Sequence, residues 1–230
     1  MATIEQHTEP AAAVGHWYVL VEGERQDLGR PERVTVPQVV APTSWGNAAP
    51  LALAAFAVTT FMLSMINAGL VDDAARPMVY AVGPTFGGLI QVIAGLIVLR
   101  QGDTFGGVLF TGFGAFWLSV FAVVEFAVPV MPRAQVGHAF GLFLLGFGIF
   151  VASMFAASFR TNLLLVAALA DVIVVFALLG IGQYWGNAAL RHAGGWLGLV
   201  AAALGAYGSI AEICEAAYGR RLPIGRLAKK

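Results

Sequence analysis

The stretch Asn162–Gln183, NLLLVAALADVIVVFALLGIGQ, decides how the rest of the chain is read. It holds a single charged side chain, Asp171, and no proline. A helix rises 1.5 Å per residue, so about 20 apolar residues are enough to cross a hydrocarbon core of ~30 Å. Working outward, five more segments meet the same requirement: Asn47–Leu70, Met78–Leu99, Phe105–Val128, Val136–Phe159 and His192–Ala217. The breaks between them carry charge, proline or glycine: Asp72–Pro77, Arg100–Asp103, Pro129–Arg133, Arg160 and Gly186-Asn187. Such short loops make neighbouring helices antiparallel. An open sheet would leave backbone groups unpaired in lipid, and the segments are too long for barrel strands. The expected fold is an all-α integral membrane bundle of six transmembrane helices over residues 46–218, flanked by a polar tail (1–45) and a basic tail (219–230).

Composition agrees. Of 230 residues, 59% are hydrophobic and 11% charged, and the mean hydropathy is +0.79. A soluble domain of this length needs more surface charge. The formal net charge of +0 argues against a nucleic-acid partner. A single cysteine, Cys214, excludes an intrachain disulfide framework and a thiolate zinc cluster. Residues 1–45 contain Pro10, Pro31, Pro37 and Pro42, and their one apolar cluster, Trp17–Val21, is too short for a signal core. They are expected to be mostly disordered, with a short interfacial contact at Trp17 and Tyr18, leaving the first transmembrane helix as the insertion signal.

Basic residues set the orientation. With the N-terminus inside, one side receives Arg25, Arg30, Arg33, Arg100, Arg160, Arg220, Arg221, Arg226, Lys229 and Lys230. The other side receives Arg76, Arg133 and Arg191. The positive-inside rule then predicts both termini in the cytoplasm. Glycines recur at i, i+4 spacing, as in Gly83/Gly87, Gly102/Gly106, Gly137/Gly141, Gly182/Gly186 and Gly194/Gly198. Small residues so spaced let helix backbones approach closely in lipid. The pentapeptide Trp45–Ala49 recurs at Trp185–Ala189. Either its asparagines are plain N-caps, or two helix N-termini from opposite sides offer N–H groups to an anion.

No catalytic pattern is present: there is no HExxH, P-loop, GxSxG or carboxylate pair at enzyme spacing. An enzyme is therefore not expected, and neither a cofactor nor a metal is called for. Polar residues within spans cost free energy, so they are the candidates for function. On the first helix Phe56, Thr60, Leu63 and Asn67 form one stripe, with Thr59 beside it. The stripe suits either a narrow, partly dry pore or polar contact between helices. On the second, Gln91 shares a face with Pro84, Gly88 and Gly95, and Pro84 is expected to kink the helix. On the third, Phe113 and Trp117 share a face. Asp171 has no Lys or Arg at its depth. It is read either as a proton site or as a neutral acid bonded to a neighbouring helix, and Glu212 on the last helix as its possible partner or as a vestibule residue.

The motifs also resemble those of a known family. Asn47–Leu53, NAAPLAL, is similar to the N-P-A-P-L-G-L signature of the acetate uptake transporter family, which spans bacterial succinate–acetate permeases and yeast acetate/ammonium transporters. The similarity continues through Thr59-Thr60, Ile66–Gly69, Gly87–Gln91, Gly102–Gly106, Gly114–Leu118, Phe176–Gly182, Gly186–Ala189, Gly194–Trp196 and Leu222–Gly225. It covers residues 47–226. The resemblance implies a homo-hexamer with a pore in each protomer, and passage of acetate or succinate by proton symport or as an anion channel. It also implies a narrow point at Phe56, Phe113 and Val172. Phe113 stands where the family has tyrosine, and Val172 where it has leucine. Ala48 and Ala52 replace a proline and a glycine of the signature, and Asp171 is not a family feature.

The reading is thus a transporter or channel for acetate and similar small monocarboxylates in the inner membrane. Phe56, Phe113 and Val172 are its expected constriction. Asn47, Thr59, Thr60, Asn67 and Gln91 are its expected path, and Asp171 and Glu212 its candidate proton sites. The alternatives are a channel for ammonia, ammonium or another small neutral solute, and a membrane scaffold or sensor whose tail binds a partner.

Overall fold

The computed structural model describes residues 18–21, 24–27, 45–225 and 227. It divides into two units, Met1–Ser44 and Trp45–Lys230. In the first, β1 (Tyr18–Val21) pairs antiparallel with β2 (Glu24–Asp27), Tyr18 opposite Asp27 and Val21 opposite Glu24. The reading of residues 1–45 as a disordered tail did not anticipate this hairpin. The run Tyr18-Val19-Leu20-Val21 is β-branched and aromatic, which favours a strand once a partner lies two residues away. The rest of that expectation, and the contact at Trp17, fall outside the described residues.

The second unit contains six helices long and apolar enough to cross a membrane: α1 (Ala49–Asn67), α2 (Asp73–Arg100), α3 (Thr104–Val130), α4 (Arg133–Ser158), α5 (Leu163–Tyr184) and α6 (Ala188–Tyr218). Their starts follow from local chemistry. Asp103 accepts the Gly106 N–H at 2.8 Å, Asn162 that of Leu165 at 2.9 Å, and Asn187 that of Leu190 at 3.2 Å, each satisfying an amide the helix itself leaves open. Pro50 sits in the first turn of α1, where its missing N–H costs nothing. The remaining open amides of α5 are met from far along the chain. Leu163 N–H donates to the Gly225 carbonyl at 2.8 Å and Leu164 N–H to that of Ile224 at 3.2 Å.

Prolines shape α2 and α3. Pro84 cannot donate within its helix, and α2 answers by widening into a π-helical stretch, Gly83–Ile90, before returning to α form at Gln91. Near Pro129, α3 passes through π (Val123–Ala127) and then 3₁₀ (Val128–Val130) turns. Buried residues run through the bundle centre, from Ala52 and Ile66 through Phe113, Phe116 and Trp117 to Val172 and Phe176. The outer surface carries large apolar side chains such as Phe61, Leu96, Leu142, Ile149 and Trp196, as a lipid solvent requires.

Close backbone approach depends on glycine. A Cβ at Gly195 on α6 would strike the backbone of Ala68 and Asn67, and one at Gly141 on α4 would lie 2.6 Å from the Gly180 carbonyl of α5. Gly83, Gly87, Gly137, Gly194 and Gly198 likewise face neighbouring helices. Two expected contact pairs are corrected. Gly102 (φ +91°) and Gly186 (φ +64°) lie in loops with open space around them and serve turns, whereas their pair partners do face neighbouring helices, Gly106 against Val98 and Gly182 against Arg191.

Candidate functional site: two cavities meeting at three residues

Two cavities enter the bundle. One, of 340 Å³, is lined by Asn67 at the end of α1, Asp73 and Arg76 at the start of α2, Val128, Val136, Gln183 and Arg191. The other, of 230 Å³, is lined by Ala49 at the start of α1, Asp103, Phe105, Leu164, Glu212 near the end of α6, and Ile224. Odd-numbered helices thus begin beside the second cavity and even-numbered ones beside the first, the alternation that antiparallel neighbours impose. We call them the Arg76 cavity and the Glu212 cavity.

Among the described residues, only Phe56, Phe113 and Val172 line both cavities. They come from α1, α3 and α5. The rings of Phe56 and Phe113 meet edge to face with centroids 5.2 Å apart. Such contacts add about 0.5–1.5 kcal/mol beyond area burial. Phe113 also meets Phe150 of α4 at 6.2 Å. Gly205 on α6 makes room for the Phe56 ring, since a Cβ there would lie 2.9 Å from it. The place where the two cavities adjoin is therefore a packed aromatic contact with Val172 against it, and no charge or hydroxyl is supplied by these three side chains.

Three of the expected path residues line a cavity and two do not. Thr60 and Asn67 line the Arg76 cavity, and Gln91 the Glu212 cavity. Thr59 is buried away from both. Its hydroxyl donates to the Ala55 carbonyl at 2.7 Å, and it packs where Gly87 of α2 lacks a side chain. It sits in the packing between α1 and α2 rather than on a cavity wall. Asn47 lines neither cavity. Its Oδ1 accepts the Ala49 N–H at 2.9 Å and its Nδ2 donates to Glu212 Oε2 at 2.8 Å. Of the two repeated asparagines, Asn187 is a plain N-cap, whereas Asn47 steers a carboxylate that does face a cavity.

Asp171 lines neither cavity, although its neighbour Val172 lines both. One helical residue is a 100° rotation, which carries Asp171 off the face that Val172 presents. Its Oδ2 is buried with no hydrogen-bond partner among the described residues.

The two ends differ in charge. The Arg76 cavity is lined by Asp73, Arg76 and Arg191. Arg76 pairs with Asp73 and donates to Asn67 Oδ1 at 3.3 Å. Arg191 stands one turn into α6, where its stem packs against Gly182. The Glu212 cavity is lined by Asp103 and Glu212 and by no cation among the described residues. Sequence reasoning counted Arg76 and Arg191 only as loop charges that set orientation. The signal that marks them is their scarcity: with Arg133 they are the three Lys or Arg residues that the orientation reading puts on that side, against ten on the other. Nothing in the sequence pointed to Ile224 as a lining residue.

An α-helical membrane bundle with a cavity at each end of a narrow apolar contact belongs to the class of small-solute transporters and channels. The chain is a member of the GPR1/FUN34/yaaH family, whose pattern it matches over residues 33–220. It is 35% identical over 184 residues to the Escherichia coli succinate-acetate/proton symporter SatP, covering 80% of this chain and 97% of that protein. It is 34% identical to acetate permease A of Emericella nidulans, over 74% of this chain and 62% of that one. Ammonia transport outward protein 2 of Saccharomyces cerevisiae is 32% identical over 82% of this chain and 70% of its own length. A solved structure of the bacterial acetate channel SatP superposes with a TM-score of 0.73 at 35% identity, covering 79% of this chain and 99% of that one.

Proposed function

We propose that this protein carries acetate and similar small monocarboxylates, with succinate as a further substrate, across the membrane through the two cavities, with Phe56, Phe113 and Val172 as the constriction between them. The observation that carries this reading is that these three residues alone, among those described, line both cavities. Motif similarity assigns the same three residues, independently of the cavity geometry. The relatives' names support the substrate class. Thr60 and Asn67 offer hydrogen bonds on the Arg76 side and Gln91 on the Glu212 side. The positive-inside rule puts both termini, and hence the mouth of the Glu212 cavity, on the cytoplasmic side of the inner membrane. The protein assembles as a homo-hexamer with one path per protomer. It is not an enzyme and uses no cofactor.

Labelled-acetate uptake into proteoliposomes tests the reading, with protein-free liposomes to subtract permeation of acetic acid. Protein-dependent uptake that is driven above equilibrium by an inward proton gradient marks coupling. Equilibration without accumulation marks a channel. Uptake no faster than the lipid control sinks acetate as the solute and turns to ammonia, a reading that the yeast relative favours.

A further inference from the structure

Among the described residues, Gln91 is the largest side chain with no exposed surface, at 0% relative exposure. Both its Nε2 and its Oε1 are buried without a hydrogen-bond partner among the described residues. It lines the Glu212 cavity together with Phe56, Phe113 and Val172. A buried amide that satisfies neither its donors nor its acceptor loses about 1–3 kcal/mol per group, so a structural role does not account for it. The π-helical stretch ends just before it, and such distortions gather at functional sites.

On the transport reading above, we infer that Gln91 is a binding subsite for the undissociated carboxylic acid, so that the proton crosses the constriction on the substrate itself. A primary amide offers one donor face and one acceptor face. A neutral acid offers the complement: its carbonyl accepts from Nε2 while its O–H donates to Oε1, satisfying both orphaned atoms at once. A carboxylate accepts from Nε2 but turns a second negative oxygen toward Oε1. The surroundings point the same way. The titratable groups lining this cavity are Asp103, from the turn before α3, and Glu212 of α6; α1, α2 and α5 contribute none to it. Asp103 caps α3, and Asn47 donates to Glu212. No cation among the described residues lines the cavity to hold an anion. Next along the path is an apolar contact, where an ion stripped of water is far costlier than a neutral acid. The balance is simple: carboxylate takes a proton from water on one side, crosses as the acid, and returns the proton to water on the other.

The test uses the full chain in proteoliposomes with two probes of fixed charge. Acetamide is always neutral and presents the donor and acceptor pattern of acetic acid. Methanesulfonate is always an anion. Acetamide is expected to compete with labelled acetate, methanesulfonate to neither compete nor enter, and acetate uptake to be indifferent to an imposed potential of either sign. Gln91→Met is expected to abolish competition by acetamide and to slow acetate uptake by about ten- to a hundredfold, the worth of two net hydrogen bonds. Its melting temperature should hold or rise, because an unpartnered buried amide has been removed. Entry of methanesulfonate, uptake driven by potential, or acetamide without effect each overturns the assignment on the wild-type protein alone. A lowered melting temperature in Gln91→Met marks a structural role and also overturns it. Acetate uptake that never exceeds the lipid control takes the transport reading down with it, whereas the other failures leave that reading standing.

Discussion

The Arg76 cavity and the Glu212 cavity share three residues and the walls of five helices, with α4 lining only the first, yet they present opposite charge. The first is lined by two arginines and one aspartate, and the second by two acids and a buried amide. Both arginines stand near helix N-termini, at the start of α2 and of α6, where the backbone dipoles are also positive. The arrangement costs stability locally and raises the potential at that mouth. The other mouth has nothing comparable. On the proposed path the difference teaches that the two ends are not equivalent: the first would attract carboxylates, and the other would suit a solute that has lost its charge.

Substitutions test this contrast, beginning with the residues common to both sides. Val172→Trp should fill the contact and lower protein-dependent acetate uptake by at least about tenfold with the fold intact by circular dichroism, since a hydrophobic constriction conducts only while it has bore. Retained uptake would mean that the cavities communicate elsewhere. Arg191→Glu should slow carboxylate uptake by about fivefold at low salt and converge on wild type near 1 M salt, where the Debye length is ~3 Å. Uptake of neutral acetamide should not change, and an equal loss for both solutes would assign Arg191 to packing. Asp171→Leu tests a group outside both cavities. Acetate flux should be unaltered while the melting temperature rises by about 2–4 °C, as ~1 kcal/mol produces in a chain of this size. A changed flux would return Asp171 to the proton route. Thr59→Val is the smallest change. Flux should be unchanged and stability should move by no more than ~0.5 kcal/mol, because the hydroxyl only back-bonds within its own helix.

The bundle itself was legible because the signal is long. Each span sums some twenty apolar residues, and loops with Asp103, Asn162 or Asn187 mark helix starts through capping chemistry that is local. Boundaries accordingly differ by a few residues, as between Asn162–Gln183 read from sequence and Leu163–Tyr184 in the structure. The hairpin Tyr18–Asp27 was missed because a short apolar run in a polar segment has no length to distinguish it. On α1, Thr59 and Thr60 are adjacent and chemically alike, and only the neighbours decide that Thr60 faces a cavity while Thr59 faces Gly87. The same ambiguity covered Asp171 and Val172.

The amino-acid sequence by itself determined that this chain has six helices fit to span a membrane, where each starts to within a few residues, and which family it resembles. Those properties depend on hydrophobic length, capping residues and ordered motifs, all of which are local. Only the tertiary structure decided which side chains face a shared space. It placed Arg76 and Arg191 on one cavity, Asn47 against Glu212, and Gln91 in a cavity with both polar atoms unpaired among the described residues. These relations join residues from different helices, and which face of a helix meets its neighbour is set by packing among all six.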